Sequence, residues 1–326
     1  MSASNLNPTR TPEAVLRRLE WTVIRRLDGV LHGDYRTLFR GHGLDLADLR
    51  EYMYGDDVRH IDWNVTARLA TPYVREYNEE REVAAWFLLD LSASVNFGSQ
   101  DLKKQAVSSE FVAVLARILT RHGNRVGALF YGDRVDQVIP TRSGRRQVLH
   151  LLHSMANRPE RAQTGATDLG ELLRTAYTMA ARRSLIFIVS DFISSPGWAE
   201  PLAHLAQRHD VVAVRLYDPL EMELPDMGML VVQDAETGEQ VFVDTHDRGF
   251  RRRFEAAAKA REAELHASFA TAGVDALELS TNDDLVDAIL RFAELRKRRT
   301  QLATGGGFPQ HASSSPIRSP RGIIRR

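Results

Sequence analysis

The 326-residue chain carries 43 basic and 43 acidic side chains, so its formal net charge is zero and affinity for nucleic acid driven by overall charge is disfavoured. The absence of cysteine excludes disulfides, thiolate zinc sites and cysteine nucleophiles and suits a reducing compartment. With 43% apolar residues a substantial core is within reach; Met1 to Arg10 lack a signal-peptide core, and no stretch approaches the ~20 apolar residues of a membrane span, so a soluble, cytoplasmic protein is expected.

Four parts follow in chain order. Residues 1–10 are polar and expected to be disordered. Residues 11–82 form an N-terminal helix and a charged, aromatic module. Thr11-Pro12-Glu13 reads as an N-cap, a first-turn proline and an early acid, and Leu16, Leu19, Val23, Leu27 and Val30 then give the helix one buried face. From Leu31 to Glu82, Arg50, Arg59, Arg68, Arg75 and Arg81 alternate with Asp56, Asp57, Asp62, Glu76, Glu79, Glu80 and Glu82. Tyr52, Tyr54, Trp63, Tyr73 and Tyr77 lie between them, which suggests a compact module held by ion pairs and aromatic packing.

Residues 83–299 alternate between strand and helix periods. Strands are predicted at 83–89, 125–131, 135–140, 184–189, 211–217 and 276–279, with helices at 102–121, 145–155, 168–182, 198–208, 250–272 and 285–299. Two further strands, 229–233 and 240–243, flank Glu236-Thr237-Gly238-Glu239 and read as a β-hairpin inserted into the series. The fold class predicted is α/β, a doubly wound, mostly parallel sheet. Residues 300–326, with Gly305-Gly306-Gly307 and Ser313-Ser314-Ser315, read as a flexible basic tail.

The chemistry concentrates where strands end. Trp86 to Leu89 is an apolar run that stops at Asp90, followed by Ser92 and Ser94 at alternate positions. Thr167 lies in a loop entering a helix, and Asp191 leaves a second apolar strand. In open parallel sheets ligands bind beyond the carboxyl ends of the strands. Two carboxylates and three hydroxyls suit a hard cation, Mg²⁺ or Mn²⁺, which keeps open positions for water or for a carboxylate from outside.

Asp90-x-Ser92-x-Ser94, Thr167 and Asp191 resemble the metal-ion-dependent adhesion site of von Willebrand factor type A domains, a Rossmann-like fold. The upstream strings Arg40-Gly41-His42-Gly43, Gly55-Asp56-Asp57-Val58-Arg59-His60-Ile61-Asp62-Trp63, Ala67-Arg68, Val74-Arg75-Glu76 and Glu80-Arg81 resemble the bacterial domain-of-unknown-function family fifty-eight. Asp218-Pro219-Leu220-Glu221, Glu236-Thr237-Gly238 and Val243-Asp244-Thr245 also fit it. The resemblance, over roughly residues 30–299, implies metal ligation by Asp90, Ser92, Ser94, Thr167 and Asp191. It further implies an adaptor or chaperone-like role beside a MoxR-type AAA+ ATPase, in maturing or assembling an unidentified client protein. The chain departs from many relatives in lacking an amino-terminal membrane span, and Val95 stands where a methionine is expected.

Two other function classes compete. A metal-dependent phosphohydrolase could use Asp90 as nucleophile or ligand, yet the haloacid-dehalogenase pattern needs an aspartate where Ser92 stands, and no general base or phosphate-gripping lysine is evident beside the site. Nucleic-acid binding through the basic tail lacks an aromatic-basic recognition motif. Blander readings are preferred elsewhere. Asp56, Asp57, Arg59 and Asp62 read as structural ion pairs, His42 and His60 as local hydrogen-bonding residues, and Gly41-x-Gly43 as weak evidence of phosphate binding. Arg296-Lys297-Arg298-Arg299 reads as a solvated helix end favoured by the macrodipole.

Overall fold

The computed structural model describes residues 11–27, 48–53, 58, 61–76, 83–99, 102–132, 134–158, 167–233 and 240–303. Its centre is a six-stranded sheet of Ala84–Asp90 (β3), Arg125–Tyr131 (β4), Val135–Arg142 (β5), Leu185–Ser190 (β6), Asp210–Tyr217 (β7) and Asp275–Ser280 (β10). The strand order is β10-β7-β6-β3-β4-β5, parallel throughout except for β5, which runs antiparallel to β4 at one edge. After β3 the chain winds outward through β4 and β5, then returns to the other side of β3 to lay down β6, β7 and β10. The direction of winding therefore reverses between β3 and β6, and Asp90 and Ser190 end those two adjacent strands.

Alternate strand residues point to opposite faces, and each face is buried by helices. On one side Phe87, Leu89, Phe130, Phe187 and Val214 pack against Pro12–Leu19 (α1), Lys104–Arg121 (α3), Arg145–Ala156 (α4) and Leu285–Ala303 (α8), with the Phe87 and Phe187 rings stacked 5.2 Å apart. On the other, Trp86, Leu88, Ile186, Ile188 and Ala213 meet Leu169–Met179 (α5), Ala199–Arg208 (α6) and Arg248–Ala272 (α7). The result is a three-layer α/β fold around a mostly parallel, doubly wound sheet. The expected strands and helices from 83 to 299 all form, with bounds displaced by a few residues.

Pro12 starts α1, the Thr11 hydroxyl accepts from Ala14 N, and a π-type turn over Glu20–Ile24 carries the helix onward. Leu16, Leu19, Ile24 and Leu27 are buried in the same apolar cluster as the sheet, so this segment completes one helical layer. The β4–β5 ladder shifts register between Val126 and Ala128. There the buried Gln147 donates its side-chain amide to the carbonyls of Val126 and Pro140, at 2.9 Å each, satisfying acceptors that the shift would otherwise strand. A Cβ on Gly127 would sit 2.7 Å from the Ile139 carbonyl, so glycine is required for this approach.

In the upstream module, Asp48–Glu51 (β1) and Tyr73–Glu76 (β2) pair antiparallel around Trp63–Leu69 (α2). Asp62, expected in an ion pair, is buried and accepts from Val65 N at 3.2 Å at the start of α2. Trp63, expected among packed aromatics, is instead 69% exposed. Arg40 to Gly43, Gly55 to Asp57, Arg59, His60 and Tyr77 to Glu82 lie outside the described residues, as do residues 1–10, 234–239 and 304–326. The hairpin strands themselves, Met229–Gln233 (β8) and Gln240–Asp244 (β9), pair as expected, with Val231 and Phe242 exposed.

A second expectation, at the basic run of the last helix, is also corrected. Arg296 is buried, not solvated: it pairs with Asp210 and, at 3.3 Å, with Asp275, while Arg299 also pairs with Asp275. These arginines fasten α8 to the amino ends of β7 and β10, because carboxylates at the strand starts need a cation once the helix covers them. No helix among the described residues is long and apolar enough to cross a membrane.

Candidate metal centre

The carboxyl ends of β3 and β6 converge at the reversal point. Parallel pairing sets Leu89 beside Val189, so Asp90 and Ser190 leave the sheet as neighbours. Asp90 is fully buried. Its Oδ1 accepts from Ser92 N at 3.0 Å and its Oδ2 from the Ser190 hydroxyl at 2.6 Å. Burial, then repulsion from Asp191, pushes the Asp90 carboxyl up to about 6, with the Ser190 and Ser92 hydrogen bonds partly offsetting them.

After Asp90 the chain makes one 3-10 turn over Ala93–Asn96, which folds the two serines back toward each other. The Ser92 and Ser94 hydroxyl oxygens lie 3.0 Å apart and are both buried. That spacing is an ordinary hydrogen bond. It is also the separation of two adjacent ligands on an octahedral ion with bonds of about 2.1 Å.

Asp191 follows β6, with Oδ1 accepting from Ile193 N at 3.0 Å. The next residue, Phe192, has φ +58° and packs edge-on to Phe269 at 4.9 Å, a positive-φ conformation that its aromatic contacts hold in place. Thr167 is 1% exposed and is tied by its backbone to the segment after β6. Its carbonyl accepts from Ser195 N at 2.8 Å and from the Ser194 hydroxyl at 2.9 Å, while Ser194 Oγ accepts from Leu169 N. The loop before α5 is thus stitched to the segment after β6. Tyr131, at the end of β4, adds a hydroxyl that accepts from Asp168 N at 3.1 Å.

The most consequential neighbour was absent from the sequence reading. Lys104, the first residue of α3, is fully buried and donates to Asp191 Oδ2 at 2.8 Å and to Glu221 Oε1 at 2.6 Å. Burial alone would lower its affinity for a proton, but Asp191 and Glu221 outweigh this and hold its pKa above the ordinary lysine value. A lysine does stand beside the site, although it grips carboxylates and not a phosphate; Lys104 comes from a helix start fourteen residues past Asp90, with no local signal pointing inward. Glu221 belongs to Asp218-Pro219-Leu220-Glu221, whose pattern does have a physical reading: Asp218 and Glu221 form a capping box that fixes the glutamate, with Glu221 Oε2 accepting from Asp218 N at 3.0 Å.

The donors fit a hard divalent ion. All are oxygens, and the three carboxylates of Asp90, Asp191 and Glu221 outnumber the single Lys104 ammonium. Asp90, Ser92, Ser94, Thr167 and Asp191 are the residues that would hold it. A second group, Glu262, His266 and Glu278, brings three potential ligand atoms within 4.8 Å of one another. It is already balanced: Glu262 pairs with Arg215, and the hydrogen bonds that His266 donates to Glu262 and Glu278 push its pKa up to about 9, so the imidazolium rather than a metal satisfies them.

Several known proteins are similar to this chain. Uncharacterized proteins of Mycobacterium tuberculosis and Mycobacterium bovis are 37% identical over 285 residues, covering 87% of this chain and 90% of theirs. Among solved structures, the conserved hypothetical protein BatB of Bacteroides thetaiotaomicron (15% identity, 68% of this chain and 99% of that one, TM-score 0.43) is similar. So is an aerotolerance-related membrane protein of Bacteroides fragilis (14% identity, 66% and 99%, TM-score 0.45). A model of the family described as "Protein of unknown function DUF58" matches residues 48–264, and the chain belongs to that family.

Proposed function

We propose that this protein is a metal-ion-dependent protein-binding adaptor, in which Mg²⁺ or Mn²⁺ held by Asp90, Ser92, Ser94, Thr167 and Asp191 captures an acidic side chain of a partner. The observation that supports it is the buried, oxygen-rich cluster at the reversal point of the sheet, where three carboxylates stand with one ammonium. Few charged ligands around the ion leave it electrophilic enough to take a carboxylate from another protein. The partner proposed from the family resemblance is a MoxR-type AAA+ ATPase, with the adaptor assisting maturation or assembly of a client protein, and the cysteine-free composition supports action in the cytoplasm.

Phosphohydrolase chemistry is less well supported. Lys104 is spent on two carboxylates, Asp191 and Glu221, and is not presented to a phosphate ester. The test is affinity capture with wild-type and Asp90→Ala baits, each in Mg²⁺ and in chelator. Recovery of an AAA+ ATPase by the wild type in Mg²⁺ alone supports the proposal; recovery by both baits under both conditions contradicts it.

A further inference from the structure

Lys104 stands against the proposed ion site as a permanent cation, and its placement bears on how tightly that site can hold metal. Its ammonium donates to Asp191 Oδ2 at 2.8 Å, the oxygen not used by Ile193 N, and to Glu221 at 2.6 Å. The lysine is fully buried, so solvent cannot screen it. Glu221 in turn is fixed by its capping box with Asp218, and Asp218 is anchored by Ser99 N and the Thr281 hydroxyl. The carboxylate that holds the lysine is thereby built into the β7 end, independently of the ion ligands.

We propose that Lys104 is a built-in competitor of the divalent ion, sharing Asp191 with it, and that Glu221 sets the strength of the competition by drawing the ammonium away from Asp191. This rests on the metal-site reading above and deepens it, by naming the two residues that regulate occupancy. When no ion is bound, the ammonium partly neutralises Asp191 and lets the carboxylate cluster fold. When an ion binds, the ammonium leans on Glu221. Affinity is kept moderate, which suits a contact that must form and release.

Two substitutions should then move affinity in opposite directions. Calorimetric titration of Mg²⁺ into Lys104→Met, which keeps the length of the apolar stem, should show binding tighter than wild type by roughly tenfold or more, since one buried positive charge is gone. Glu221→Gln should bind more weakly by roughly tenfold, because the ammonium then rests on Asp191 alone. The double variant distinguishes this coupling from the loss of a negative charge in general: if Glu221 acts through Lys104, Glu221→Gln has little effect in the Lys104→Met background. Equal affinities for wild type and Lys104→Met, or an undiminished Glu221→Gln effect in the double variant, overturns the inference while leaving the metal site standing. If neither wild type nor Lys104→Met binds Mg²⁺, the metal-site reading itself fails and this inference with it. Binding by Lys104→Met with none by wild type is the extreme form of the competition proposed. Unfolding by urea without metal, run on the same variants, verifies that each is folded at the titration temperature.

Discussion

Asp218→Ala should cost the fold about 3–5 kcal/mol. Asp218 is fully buried and its carboxylate accepts three hydrogen bonds: from Ser99 N at 2.9 Å, from Leu220 N at 2.9 Å and from the Thr281 hydroxyl at 2.7 Å. It thereby ties the loop after Ser94 to the ends of β7 and β10. The Thr281 hydroxyl is buried and would lose its acceptor at a cost of about 1–3 kcal/mol, while Ser99 is exposed and can turn to water, so its bond and that of Leu220 count for about 1 kcal/mol each. The assay is urea unfolding of the metal-free protein at pH 7, comparing midpoints at a common slope. A loss below about 1 kcal/mol would refute the view that this carboxylate holds the three segments together. The pH dependence supplies a second check. Burial pushes Asp218 up, but the hydrogen bonds from Ser99, Leu220 and Thr281 outweigh it and hold the group below its ordinary 3.8. Its contribution is therefore complete above that value and lost as pH falls below it, a loss that Asp218→Asn should not show.

Three further outcomes follow from other parts of the molecule. Ser108 in α3 is fully buried with no partner for its hydroxyl among the described residues, so Ser108→Ala should raise stability by about 1 kcal/mol in the same urea assay; destabilisation would count against this. His209 is held down to about 4 by burial and by the charges of Arg208 and Arg183, and its Nδ1 accepts from Ser184 N. The unfolded chain takes up that proton near 6.5, so wild-type stability should fall between pH 6.5 and 4, and His209→Asn should flatten that stretch of the curve. Arg296→Met leaves Asp210 and Asp275 facing a covered surface without their shared cation and should cost about 2–4 kcal/mol, whereas a purely solvated arginine would cost almost nothing.

Much of this was readable in the sequence because buried parallel strands announce themselves. Trp86 to Leu89 and Leu185 to Val189 are apolar on both faces, and each stops at a polar group, so the strand ends that carry Asp90 and Asp191 could be located by eye. Ser92 and Ser94 were legible through their spacing from Asp90. What the sequence concealed was long-range electrostatics. Lys104 follows a helix start and looks like any surface lysine, yet it is buried between groups 87 and 117 residues away. Arg296 was hidden for the same reason, since a basic run at a helix end has the same composition whether solvent or two aspartates receive it. Glu221 lay in a recognised string, but the purpose of that string is visible only when the capping box aims it at Lys104.

The most direct test of the metal centre is anomalous diffraction from crystals grown or soaked with Mn²⁺, for the wild type and for Asp90→Ala. The wild type should show one strong peak bounded by Asp90, Ser92, Ser94, Thr167 and Asp191, with metal–oxygen distances near those of an octahedral ion, and the variant should show none. An empty difference map at that position in wild-type crystals at saturating Mn²⁺, or a peak held instead by Glu262, His266 and Glu278, would contradict the assignment.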